Sequence, residues 1–137
     1  MAAFTLPLKV GFQHCDPAGL VFYPRYFEMV NTLIEEWFAR ALEIPFEEIH
    51  GARQEAVPTA TISADFVAPS QLGDVLNFAL EVEKLGGASL HLSIRAACAG
   101  EERLKVRSVL VHTSMVTRRP SPWPADLRAA IENQVTE

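Results

Sequence analysis

The residues of this chain best placed to do chemistry lie in one run: Phe12-Gln13-His14-Cys15-Asp16-Pro17-Ala18-Gly19-Leu20-Val21-Phe22-Tyr23-Pro24-Arg25-Tyr26. The run starts where an apolar-alternating strand ends. It passes through an acid, a turn marked by Pro17 and Gly19, a short apolar stretch and a proline, and then a long helical pattern begins. One carboxylate, Asp16, therefore stands just upstream of the unpaired backbone N–H groups of a helix start. Such groups favour negative charge, either a carboxylate or a developing oxyanion. A nucleophile or general base facing an oxyanion-stabilising amide is what acyl transfer needs. The competing role for Asp16 is a turn cap, since aspartate is favoured there as well. Gly19 supplies backbone freedom and close approach at the turn.

Other candidates cluster around this acid. If the strand continues, His14 shares a face with Asp16 and can tune it as a base; a structural histidine is the alternative. Cys15 lacks the electropositive surroundings that a thiolate nucleophile needs. His14, Cys15 and Asp16 are too close in sequence to converge on one ion, so no metal is expected. His91 and His112 stand alone in strands and read as structural. Thr59, Thr61, Ser63 and Asp65 make a polar stripe on a strand, either a solvent face or a pocket wall. Thr59 and Thr61 are its substrate-binding candidates.

The elements that must position these residues follow from periodicity. Residues 5–13 alternate as a strand, with Leu6, Leu8, Val10 and Phe12 on one face. Residues 25–42 carry Met29, Val30, Leu33, Ile34, Trp37, Phe38, Ala41 and Leu42 at helical spacing. So wide an apolar stripe predicts a central helix wrapped by a sheet, with Trp37 and Phe38 in its core. A short helical turn over Pro45 to His50 ends at Gly51. Strands follow over 57–68, 74–85, 88–98 and 102–116, with Gly86-Gly87 and Gly100-Glu101 as hairpin turns. The alternation of the last strand shifts phase near Ser108, which predicts a bulge there. Pro120, Pro122 and Pro124 break structure, and residues 125–134 read as a terminal helix. The sum is a single α+β domain over 1–137, in the order β-α-β4 with a short C-terminal helix: an antiparallel five-stranded sheet around one long helix.

Bulk properties narrow the function. The chain has 137 residues, 49% of them hydrophobic, and a formal net charge of −5. No basic block is present, which argues against nucleic acid. Met1 to Pro7 lacks the cationic region of a signal peptide, and no apolar run is long enough for a membrane span. Two distant cysteines, Cys15 and Cys98, fit free thiols in a reducing cytoplasm.

The run from Asp16-Pro17-Ala18-Gly19 through Leu20-Val21-Phe22-Tyr23 to Pro24-Arg25-Tyr26 resembles the 4-hydroxybenzoyl-CoA thioesterase family of the hotdog fold. The resemblance implies hydrolysis of an acyl-CoA to the free acid and CoA. The acid at Asp16 would either attack the thioester carbonyl or activate water, and the backbone N–H at Tyr23 would polarise that carbonyl. Gly19 would stand in the catalytic turn, with His14, Pro17, Thr59 and Thr61 as substrate-binding positions. It implies no cofactor, and a homodimer or homotetramer with active sites at the subunit interface, where a partner chain could contribute the Thr59 and Thr61 stripe. A sheet edge and an apolar face left open in a monomer point the same way.

The chain also departs from that family. The basic cluster that meets CoA phosphates near the hairpin is replaced by Leu85-Gly86-Gly87-Ala88, which leaves Lys84, Arg118 and Arg119 as phosphate candidates. The family's helical acid near the substrate hydroxyl is Asn31 here, which weakens the case for a hydroxyaryl substrate. The His and Phe-Pro-Gly of hotdog dehydratases are missing. Two other readings stand beside the main one. A thioesterase for acyl carrier proteins is disfavoured by the net negative charge. A non-catalytic acyl-binding hotdog protein has no need of an acid beside the ligand carbonyl.

Overall fold

The computed structural model describes residues 3–135. In chain order the elements are β1 (Phe4–Lys9), a 3-10 turn (Phe12–His14), α1 (Tyr23–Arg40), α2 (Phe46–His50), β2 (Glu55–Ala56), β3 (Thr59–Phe66), β4 (Val75–Leu85), β5 (Ser89–Cys98), β6 (Glu101–Val111), β7 (Thr113–Ser114), β8 (Arg119–Pro120) and α3 (Ala125–Glu132). Five strands form one sheet in the order β1-β4-β5-β6-β3, and every neighbouring pair is antiparallel. This is the antiparallel five-stranded sheet that the residue pattern predicts, in the hotdog arrangement that the family resemblance implies.

The strands' period-2 alternation decides the core. Leu76, Phe78, Leu80 and Val82 of β4, Leu90, Leu92, Ile94 and Ala96 of β5, and Leu104, Val106 and Leu110 of β6 are buried on one face. Against that face α1 buries Tyr26, Met29, Val30, Leu33, Ile34, Trp37 and Phe38. Pro24 sits in the first turn of α1, where a missing N–H costs nothing. Burial of each large apolar side chain contributes roughly 1.5–3 kcal/mol, so this helix–sheet contact dominates stability. Among the described residues no helix is long and apolar enough to cross a membrane.

Two expectations need correction. The strand expected over 102–116 ends at Val111; Thr113–Ser114 leaves the main sheet to join β2 and β8 in a separate three-stranded sheet. His112 marks the break. It is buried, with Nδ1 at 2.9 Å from the Ser121 carbonyl and Nε2 at 3.2 Å from Glu55. The bulge expected near Ser108 is not there: Ser108 keeps the inward alternation of β6, and the irregularity lies across from it, in β3, between Thr59 and Thr61. Strand β3 is an edge strand exposed along nearly its whole length.

Candidate active site

Asp16 makes its own turn. Its carbonyl accepts the Gly19 N–H at 3.0 Å, and its N–H donates to the Leu20 carbonyl at 2.9 Å. Its Oδ1 accepts the N–H groups of Ala18 at 2.9 Å and Leu20 at 3.2 Å. Gly19 has φ +80°, a left-handed backbone that a side chain would strain. One carboxylate oxygen thus caps the turn, and Oδ2 has no hydrogen-bond partner among the described residues. The cap holds the carboxylate in a fixed orientation with one oxygen spare.

The turn rests on the loop before β4. Val21 N–H donates to the Ser70 carbonyl and Leu72 N–H to the Gly19 carbonyl, both at 2.9 Å. Arg103 of β6 locks that loop: its guanidinium donates to Asp74 at 2.8 Å and to the Ser70 hydroxyl at 3.2 Å. The Gln71 N–H, and after it the Arg103 guanidinium, hold the Asp74 carboxyl below the usual carboxylate range.

At the start of α1, most amides are already used. Phe22 N–H donates to the His14 carbonyl at 3.0 Å, Arg25 N–H donates to the Phe22 carbonyl at 2.8 Å, and Pro24 has no N–H. The Tyr23 N–H, first in the helix, has no acceptor among the described residues. It points out of a helix N-terminus, where a developing oxyanion is stabilised. The Tyr23 ring is exposed and meets Phe22 and Phe66 edge-on, at centroid distances of 5.5 and 5.9 Å.

His14 does not share a strand with Asp16. The chain coils into a 3-10 turn at Phe12–His14, and the His14 Nδ1 accepts the Gly11 N–H at 2.9 Å. Its side chain serves that turn, and its backbone carbonyl anchors Phe22. Pro17 is exposed at the tip of the Asp16 turn. Cys15 and Cys98 are free thiols.

The polar stripe of β3 is split by the bulge. Thr59 pairs with Leu110 and turns toward α1, where it lines a cavity of about 220 Å³ with Phe27, Asn31, Ile34, Ile62 and Ser108. Thr61 pairs with Val109 and faces the outer side of the sheet, with Ser63, His91 and Arg107. Within one chain neither threonine meets Asp16. Thr59 packs beside Asn31 and Ile34, roughly 12–16 Å along α1 from Tyr23 at 1.5 Å per residue. The phosphate candidates are also dispersed: Lys84 is exposed near the end of β4, and Arg118 and Arg119 lie on the β7–β8 hairpin.

Sequence reasoning missed Arg103, Asp74 and Ser70, because nothing local in the chain marks an ion pair between residues so far apart. It also missed the aromatic wall made by Phe66 with Tyr23, Tyr26 and Phe27. An aromatic at the end of an edge strand was its only signal. Among the described residues no three His, Cys, Asp or Glu side chains converge as a metal site.

The thioesterase-like superfamily matches residues 10–131 of the chain. The chain is 24% identical over 133 residues to a 1,4-dihydroxy-2-naphthoyl-CoA hydrolase of Synechocystis sp., covering 96% of each chain. It is 22% identical over 138 residues to the acyl-CoA thioesterase YbgC of Haemophilus influenzae, covering 95% of each. A crystal structure of a thioesterase-superfamily protein from Jannaschia sp. superposes with a TM-score of 0.90 at 20% identity, over 98% of this chain and 94% of that one.

Proposed function

The chain belongs to the thioesterase-like superfamily, and from that premise we propose that it is an acyl-CoA thioesterase whose working carboxylate is Asp16. The observation that carries this reading is a pair of unpaired groups flanking one helix start: Asp16 Oδ2 and the Tyr23 N–H. The Tyr23 N–H donates to the thioester carbonyl oxygen and stabilises the negative charge that grows there. Asp16 acts in one of two ways. As a nucleophile, Oδ2 bonds to the carbonyl carbon, the C–S bond breaks, CoA leaves as thiolate, and water hydrolyses the resulting anhydride. As a base, Oδ2 takes a proton from water as its oxygen bonds to the carbonyl carbon; the C–S bond then breaks, and CoA leaves as the thiolate that takes up the proton. Gly19 and Pro17 hold the turn, and no cofactor is needed, because a thioester is already activated and water is the second substrate.

The working unit is a dimer or a dimer of dimers. The outer edge of β3 is unpaired, and Ile62, Phe66 and Val67 on or beside it are 42%, 47% and 49% exposed. Phe22 and Tyr23 extend that apolar surface to the helix start. A hydrophobic edge strand of this length calls for a partner strand. Antiparallel pairing of this edge with β3 of a second copy would lay the partner subunit's strand alongside Phe66, near Tyr23. Thr59, which faces α1, would then serve a site that it does not reach within one chain, whereas Thr61 faces the other side of the sheet. The free cysteines fit a reducing cytoplasm.

The test is a panel of aliphatic and aromatic acyl-CoAs offered to the purified protein, read by released thiol. Turnover of at least one acyl-CoA is expected; no thiol release from any of them, under conditions where the protein is folded, contradicts the reading.

A further inference from the structure

His14 is tied at two points. Its Nδ1 accepts the Gly11 N–H at 2.9 Å, and its carbonyl accepts the Phe22 N–H at 3.0 Å. The first bond closes the 3-10 turn of Phe12–His14, whose N-cap is Gly11. The second fixes the residue just before Tyr23, where α1 starts. Asp16 follows two residues after His14. His14 thus links the segment that carries Asp16 to the helix start that carries the unpaired Tyr23 N–H.

The turn has little else to hold it. None of its three residues is buried, and Phe12 is 83% exposed. Three residues are too few for a helix to persist by itself. The Gly11 N–H has no acceptor but the imidazole among the described residues. The side chain that reaches back from this position to an N-cap N–H is ordinarily Glu or Gln, and both accept throughout the neutral range. Histidine accepts only while it is neutral. A backbone N–H can only donate, so Nδ1 must carry a lone pair and the ring proton must sit on Nε2. A second proton, at Nδ1, would set two donors 2.9 Å apart.

The charged and titratable groups on the surrounding segments are Lys9 at the end of β1, Cys15 and Asp16 on the same segment, Tyr23 and Arg25 at the start of α1, and Asp74 and Arg103 behind the turn. Arg25 pairs with Glu28 and Asp74 with Arg103. Among the described residues no carboxylate forms an ion pair with the His14 ring that would offset the lost bond.

We propose that His14 is a positioning residue for thioester hydrolysis: its neutral ring, bound to the Gly11 N–H, fixes the His14 carbonyl against Phe22 and so keeps Asp16 and the Tyr23 N–H in register, and a proton taken up at Nδ1 releases them. This rests on the thioesterase reading and adds a pH control built into the same site. His14 touches no reacting atom, so acid slows turnover through geometry while the sheet and α1 stay folded.

The test is kcat/KM on the best acyl-CoA of the panel from pH 8 to pH 5, for the wild type, His14→Ala and His14→Gln, with melting temperatures to confirm that each is folded. A free histidine side chain gains its second proton at about 6.5 and an aspartate at about 3.9, so this interval isolates the imidazole. The wild type should lose about fivefold across it, chiefly in kcat, the range set by one hydrogen bond. His14→Ala should lie about fivefold below the wild type at pH 8 and show no such fall. His14→Gln, an acceptor that does not titrate, should recover most of that loss and stay level. Nitrogen NMR of the wild-type ring gives a readout independent of turnover: at pH 8 Nδ1 should be the unprotonated nitrogen. A flat wild-type profile, the same acid fall in His14→Gln as in the wild type, a His14→Gln protein no faster than His14→Ala, or a protonated Nδ1 at pH 8 overturns this inference while the thioesterase reading stands. No thiol release by the wild type from any acyl-CoA overturns both.

Discussion

Arg103 donates to Asp74 at 2.8 Å across the gap between β6 and the loop before β4, and through that loop it supports the turn made by Asp16. The two side chains are only 13% and 16% exposed, so solvent screens the pair weakly. Arg103→Ala should therefore lower stability by about 1.5–3 kcal/mol, the range for hydrogen bonds to charged groups. It should also lower kcat/KM, although Arg103 touches no substrate. Thermal melts paired with kinetics check both effects. A normal melt and normal kinetics would show that the loop holds without this pair.

The same pair sets an acid limit. Asp74 titrates below the usual carboxylate range, first through the Gln71 N–H and then through Arg103. Its stabilisation is complete above its unfolded-state value of about 3.9 and is lost as pH falls through the lower folded value. The melting temperature should thus drop as pH falls below about 4. In Asp74→Asn the neutral-pH melt should be lower and the fall toward acid shallower. Melting curves at a series of pH values from neutral to acid read the difference directly.

Gly19 is expected to resist replacement for backbone reasons alone. At φ +80° an ideal Cβ would meet nothing within 4 Å, so there is no clash to relieve and only the left-handed backbone to strain. Gly19→Ala should cost roughly 1 kcal/mol, and Gly19→Asn less, because asparagine tolerates this region better. Chemical denaturation of the two variants gives the order.

Phe66 marks the expected seam between subunits. Placing a charge there, as in Phe66→Glu, should shift the protein toward monomer in light scattering and remove most turnover, with little change in the monomer's secondary structure. A variant that stays oligomeric and active would move the seam elsewhere.

The fold was legible where one face of an element is covered. The stripe from Met29 to Leu42 and the alternation from Leu76 to Ala96 can be satisfied only by a helix against a sheet. Reading failed where neither face is covered. In β3 an alternation of small, polar and apolar residues looked like an inside and an outside, but the strand is an exposed edge, and its bulge sends Thr59 and Thr61 to opposite faces. At Ser108 a single polar residue on an inward position looked like a phase shift, when the backbone is regular and the side chain is the exception. For the candidate site, the turn chemistry of Asp16 and Gly19 is local and was readable. His14 was misplaced because a 3-10 turn of three residues has no periodicity to detect. Arg103 and Asp74 are paired by the tertiary fold alone.

The central claim is that the spare oxygen of Asp16 performs the chemistry. Asp16→Asn tests it most directly, since the amide oxygen can still accept the Ala18 and Leu20 N–H groups and keep the turn. Measured on the best acyl-CoA of the panel, kcat/KM should fall by about 10²–10⁴-fold with the melting temperature little changed. Hydrolysis at the wild-type rate in a folded Asp16→Asn protein would contradict the account.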